Sequence, residues 1–131
     1  MGGFALSEYQ HIAVRHEDVE SVGTVTVANL LSDKLLDELL IRETADELLA
    51  VLAGGPKAMI VSFERVQSLS SSAIGQLVRL WKQSKAADIR LVLAELNETI
   101  LEGFAVTHLD KQFEINTTEK RALKSLAFPV E

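Results

Sequence analysis

Ala58-Met59-Ile60-Val61-Ser62-Phe63 is followed by a mostly polar connector, Glu64 to Leu69, and then by Ser70-Ser71-Ser72-Ala73-Ile74-Gly75-Gln76-Leu77-Val78-Arg79-Leu80-Trp81. The architecture follows from these residues. The first six are almost continuously apolar, which suits a central strand covered on both faces. Beyond the serines, Ile74, Leu77, Val78 and Trp81 recur at i, i+3, i+4 and i+7, the spacing of a helix with one buried stripe. Arg79, Lys82, Gln83 and Lys85 lie elsewhere on that helix, and the lysines sit near its C-terminal end, where the macrodipole favours cations. A buried strand delivering the chain into an amphipathic helix is the repeating unit of a parallel α/β sheet.

Downstream, Ile89 to Ala94 reads as the next strand. Asn97 is placed to cap a helix carrying Ile100, Leu101, Phe104, Ala105 and Leu109. Phe113-Glu114-Ile115 is a short strand, and Thr117 or Thr118 caps a last helix with Ala122, Leu123 and Leu126, ended by Pro129. Toward the N-terminus, Ile41, Ala45, Leu48, Leu49 and Leu52 form the apolar row of a helix from about Asp37 to Ala53, with Glu38, Arg42, Glu43, Asp46 and Glu47 facing water. Gly54-Gly55-Pro56 stops it. Leu30 to Leu40 is leucine-rich but has no clear phase. Thr24 to Val27 is β-branched and alternating, and His11 to Arg15 is a short strand; with a turn from Glu17 to Gly23, the two make a hairpin. The expected order is β-β-α-β-α-β-α-β-α: a mixed sheet packed with about four helices, in one domain over residues 1–131 with an ordered core of roughly 8–128.

Composition limits what this domain can do. Apolar residues make up 47% of the 131 residues and charged residues 24%, enough for a full core without staples. With one tryptophan, one tyrosine and five phenylalanines, that core must be largely aliphatic. The absence of cysteine excludes disulfides, thiolate metal sites and cysteine catalysis. A net charge of −6 argues against nucleic acid and anionic lipid as partners. Met1 to Ala5 has neither a basic region nor a long apolar run, and Leu48 to Ala53 is among the longest apolar stretches, so neither export nor membrane insertion is expected. The expected location is the cytoplasm. His11, His16 and His108 are scattered and read as surface or edge residues, so no metal and no cofactor are called for.

The run Ser68-Leu69-Ser70-Ser71-Ser72-Ala73-Ile74-Gly75 is the feature that could carry function. The plainer reading is a helix cap, in which one serine accepts a hydrogen bond from an exposed N–H and the small Ala73 and Gly75 permit close packing. The functional reading uses the same geometry. A loop at the carboxyl end of a central strand is where open α/β sheets place their sites, and a helix N-terminus tolerates negative charge. A phosphoryl group on a serine there would change the surface that a partner meets while leaving the fold intact.

Met59 to Phe63, the segment Ser70 to Gly75 and the stripe Leu77-Val78-Arg79-Leu80 together resemble the core of STAS domains, especially bacterial anti-sigma factor antagonists. Ile89 to Ala94 resembles the strand that follows in that family, and Phe104 to Phe113 its pre-terminal helix running into the last strand. The resemblance implies a non-enzymatic module whose partners are a serine kinase acting as anti-sigma factor and a matching phosphatase. It also implies a phosphoacceptor at Ser71, with Ser70, Ser72, Ala73, Ile74 and Gly75 in the partner-binding loop. The family's loop reads Asp-Ser-Ser/Thr-Gly, and this chain departs from it twice: Ser70 stands for the aspartate and Ala73 for the glycine. An adaptor subunit of a sensory or transport complex, without phosphorylation, is therefore the alternative. A small α/β enzyme or nucleotide-binding domain is the third reading, disfavoured because no nucleophile–base pair or phosphate loop is visible. An exposed sheet edge could pair two copies into a homodimer.

Overall fold

The computed structural model describes residues 9–127. Its strands are β1 (Ile12–Val19), β2 (Gly23–Leu30), β3 (Lys34–Leu35), β4 (Ala58–Ser62), β5 (Ser68–Leu69), β6 (Arg90–Ala94) and β7 (Glu114–Asn116). Its helices are α1 (Glu38–Ala53), α2 (Ser71–Ala86), α3 (Glu98–Val106) and α4 (Glu119–Ala127), with a 3-10 turn at Leu109–Lys111. The main sheet runs β1-β2-β4-β6-β7; β1 is antiparallel to β2 and every other pair is parallel. This is the mixed sheet with four helices expected from the sequence.

The central strands divide two apolar clusters by their pleat. Met59 and Val61 of β4 face one way and pack with Ala28, Leu30, Leu48, Leu52, Leu77, Leu80 and Phe104, so α1, α2 and α3 cover that face. Ala58 and Ile60 face the other way, with Val25, Val27, Val92, Ala122 and Leu126, under α4. Ser62 ends β4 fully buried, and among the described residues its hydroxyl finds no hydrogen-bond partner.

Several boundaries differ from the sequence reading. β1 continues to Val19 through Glu17 and Asp18, which pair with Val25 and Thr24, so the turn shrinks to Glu20–Val22. Charged residues belong there because β1 is an edge strand with one ladder open to water. Thr26 does not face solvent; it is buried and its hydroxyl meets His16 Nδ1 at 2.9 Å. Gly23 closes the turn with φ +114°, where a Cβ would lie 2.9 Å from Lys57 Cγ. Gly55 follows α1 in the left-handed region at φ +77°, which explains the stop at Gly54-Gly55.

The buried stripe of α2 is Ala73, Leu77, Leu80 and Ser84, whereas Ile74, Val78 and Trp81 are only partly covered. The stripe is thus rotated on the helix from the one expected. Trp81 leans over the side of the core, 6.2 Å from the Phe113 ring with Lys85 above it, because a large amphipathic ring suits the rim better than the centre. α3 ends at Val106: His108 takes φ 62° and puts Leu109 into the 3-10 turn, and Leu101 and Ala105 stay exposed. The sheet's far edge is tied by Arg90, whose Nε donates to Glu114 Oε1 at 2.8 Å; that hydrogen bond holds the Arg90 pKa above its ordinary value against the opposing effect of burial. Thr118 caps α4 by accepting from the Arg121 N–H. Pro129, read as the end of this helix, lies outside the described residues.

Candidate functional site

Leu30 to Leu40 could not be phased because it changes structure three times. After β2, the chain turns back and Lys34–Leu35 pairs in parallel with Ser68–Leu69, forming a two-stranded clip away from the main sheet. Leu35 is buried in this clip, Asp37 then caps α1 by accepting from the Leu40 N–H at 2.9 Å, and the helix begins. Leu36 and Leu39, on either side of the cap, are 52% and 57% exposed.

The clip positions the serine loop. The Asp33 carbonyl accepts from Gln67 N–H at 2.7 Å, and the Leu35 carbonyl accepts from Ser70 N–H at 3.0 Å. From the other side, the Asn97 side chain donates to the Gln67 carbonyl at 3.1 Å while its oxygen caps α3 at Ile100 N–H. The connector from Glu64 to Leu69 is therefore held between the β2–α1 segment and the start of α3, at the carboxyl end of β4.

Within the loop the three serines are not equivalent. Ser70 is the cap of α2, with extended backbone (φ −87°, ψ 169°) and a side chain that accepts from the Ala73 N–H. Ser72 is exposed and donates to Glu38 Oε2 at 2.7 Å, so α1 brings a carboxylate to the loop. Ser71 occupies the first helical position, is exposed, and among the described residues its hydroxyl has no hydrogen-bond partner. α2 has no acidic residue of its own in its first turn, and the carboxylate nearest that turn is supplied by Glu38 of α1.

The remaining residues expected in the loop divide. Gly75 is exposed with open space where a Cβ would be. Ile74 is half-buried against the core. Ala73 faces inward at 5% exposure and lines a small apolar cavity between α1 and α2 with Leu35, Ile41, Leu48 and Leu77. Its methyl therefore acts on packing, not on the outer surface. The sequence reading missed Glu38, Leu36 and Leu39, treating Glu38 as one more solvated acid. The available signal was two leucines bracketing Asp37-Glu38, a helix start with apolar residues that the helical row did not use.

The histidines have other roles. His11 Nε2 meets Glu43 Oε1 at 2.9 Å, His16 bonds Thr26, and His108 supplies the left-handed residue after α3. Among the described residues no helix is long and apolar enough to cross a membrane.

With this geometry the chain can be compared with known proteins. An anti-sigma-factor antagonist (STAS) domain protein from Planctomyces limnophilus superposes with a TM-score of 0.75 at 28% identity, covering 88% of this chain and 97% of that one. The Bacillus cell fate determinant SpoIIAA in its phosphorylated form gives a TM-score of 0.61 at 21% identity, over 87% of this chain and 99% of the other. A sulfate transporter family protein from Wolinella succinogenes gives 0.65 at 15% identity, over 78% and 84%. The last two similarities concern the fold alone. The family model of the STAS domain matches residues 24–122, from the second strand of the hairpin into α4 and across the whole serine loop, and the chain therefore belongs to the STAS domain family.

Proposed function

We propose that this protein is a cytoplasmic, non-enzymatic regulatory module that docks on an anti-sigma factor kinase through the sheet end carrying Ser70 to Ser72, and that Ser71 is its phosphoacceptor. The observation that carries the reading is the free, exposed Ser71 hydroxyl at the N-terminus of α2, beside exposed Leu36 and Leu39 and the Glu38 carboxylate. Ser70 holds the helix and Ser72 is engaged with Glu38, so Ser71 is the serine free to attack. The kinase would transfer the γ-phosphoryl of ATP to Ser71 Oγ, with ADP leaving; a phosphatase would return the hydroxyl. Leu36 and Leu39 supply apolar area for a partner, and area of this kind, once covered, makes an added phosphate costly to desolvate. Glu38 answers the loss of the family's aspartate at Ser70: the acidic group at the loop comes from α1 instead.

The test is intact-mass spectrometry with site mapping on protein from its native cells, with Ser71→Ala alongside. One phosphate at Ser71, absent from the variant, supports the switch. An unmodified mass in growth and stress, together with failure of candidate kinases to modify it, overturns it.

The second reading is an adaptor that binds its partner without phosphorylation. It is favoured by Ser70 and Ala73 in place of the family's aspartate and glycine, and by the transporter-family protein among the structural neighbours. In that case Glu38, Leu36 and Leu39 would still form the contact face, and Ser70 to Ser72 would serve as caps alone.

A further inference from the structure

β1 is an edge strand: among the described residues nothing pairs with its outer side. Which of its main-chain groups face outward follows from one hydrogen bond. Leu31 N–H donates to the His11 carbonyl at 3.0 Å, and the register pairs Ile12 with Leu30 and each following residue in step. In an antiparallel ladder, bonded and non-bonded pairs alternate, so the odd-numbered residues of β1 bond inward to β2. Val14, His16 and Asp18 turn their N–H and C=O groups to the outside.

Two copies joined by this edge about a twofold axis must pair residues of the same parity, since opposite residues share a face of the sheet. An axis at Arg15 would oppose two arginines, and an axis at Glu17 two glutamates. An axis at His16 sets Arg15 of each copy opposite Glu17 of the other, twice, over an overlap from Ala13 to Val19. In the same register Val14, His16 and Asp18 form the hydrogen-bonded pairs, Val14 with Asp18 and His16 with His16. Arg15 and Glu17 then fall in the non-bonded pairs, where side chains approach most closely. The outward main-chain groups are used in every same-parity register, and the charge pattern selects the one centred on His16. Arg15 already contacts Glu17 and Glu119 of its own chain through Nε and one Nη, which leaves further donors for a second carboxylate.

We propose that this edge is a homodimer interface, in which two β1 strands pair antiparallel about His16 to join the two five-stranded sheets into one continuous sheet, held across the axis by two Arg15–Glu17 pairs. The opposite edge is not suited to this: β7 has three residues, and its Glu114 is held by Arg90. Because the axis is perpendicular to the sheet, the two serine loops point to opposite ends of the dimer. Both stay open to a partner, so the dimer does not depend on the phosphoswitch.

The register can be tested by sedimentation equilibrium on the full chain and on Arg15→Glu and Glu17→Arg. Each single variant sets like charges across the axis and is expected to weaken self-association about tenfold or more. In a one-to-one mixture of the two variants, each position 15 again meets the opposite charge at position 17 of the other copy. The heterodimer is therefore expected to recover the wild-type affinity. Circular dichroism establishes that each variant is folded. Should Arg15→Glu, which loses the Glu119 contact, fail to fold, Asp18→Pro, at an exposed position of the same edge, removes an outward N–H and is expected to give a folded monomer. Hydrogen exchange at Val14, His16 and Asp18 should slow with rising wild-type concentration. A wild-type chain that remains monomeric up to about 1 mM, or a Glu17→Arg chain that dimerises as well as wild type, overturns the proposal. Ser71→Ala is expected to dimerise normally, so failure of the interface and failure of the switch are read separately.

Discussion

At the level of single residues, the serine loop separates a structural hydroxyl from a free one. Ser70 Oγ accepts the Ala73 N–H at the start of α2, and replacing a capping serine by alanine costs about 1 kcal/mol. Ser71 makes no such bond, so Ser71→Ala should leave the denaturation midpoint close to wild type while Ser70→Ala lowers it. Chemical denaturation of both variants measures the difference, and equal losses would mean that Ser71 also holds the helix. Ser62 is the converse case: among the described residues its buried hydroxyl has no partner. A buried polar group without a hydrogen bond costs about 1–3 kcal/mol, and Ser62→Ala removes it at little loss of volume. That variant is expected to be at least as stable as wild type, by the same denaturation measurement.

The elements were legible where a periodicity ran long enough to be phased. Sixteen residues of α1 and sixteen of α2 carry apolar rows, and the nearly continuous apolar run of β4 suited a central strand, which it is. The clip of β3 and β5 was illegible because a two-residue strand has no period, and its partner lies more than thirty residues away in the chain. The phase of α2 was misjudged for a different reason. Ile74, Val78 and Trp81 outweigh Ala73 and Ser84 in hydrophobicity, but the buried face runs through Ala73, Leu77, Leu80 and Ser84, so two small residues at its ends are covered while three larger ones stay at the rim. Glycine placement was readable at the end of α1, and it gives a prediction. Gly55 sits at φ +77° with nothing within 4 Å of the place a Cβ would take, so Gly55→Ala meets only backbone strain. A left-handed conformation costs a side-chain-bearing residue about 1–2 kcal/mol, and thermal unfolding should register a loss of that order. No change would mean that the turn relaxes to another conformation.

For the whole molecule, the proposed contact surface and the smaller core cluster under α4 lie on opposite faces of the sheet. α4 and the cluster of Val25, Val27, Ile60, Val92 and Leu126 lie on one face, while the serine loop and the exposed leucines project from the carboxyl end on the side of α1 and α2. Leu126 is 3% exposed, and truncating a buried leucine to alanine costs about 2–5 kcal/mol. Glu38 is exposed at the first turn of α1, where a lost acid costs about 0.3–1 kcal/mol through the dipole. The two variants should therefore behave as opposites. Leu126→Ala is expected to unfold at much lower denaturant yet capture the native partner normally per folded molecule. Glu38→Ala is expected to keep most of its stability and lose the partner, because the carboxylate at Ser72 and the surface between Leu36 and Leu39 change together. Denaturation curves and quantitative co-purification of the tagged variants from native cells measure both axes. If Glu38→Ala retains its partner while Leu126→Ala loses it below the unfolding transition, recognition lies on the α4 face and the serine loop is only the cap of a helix.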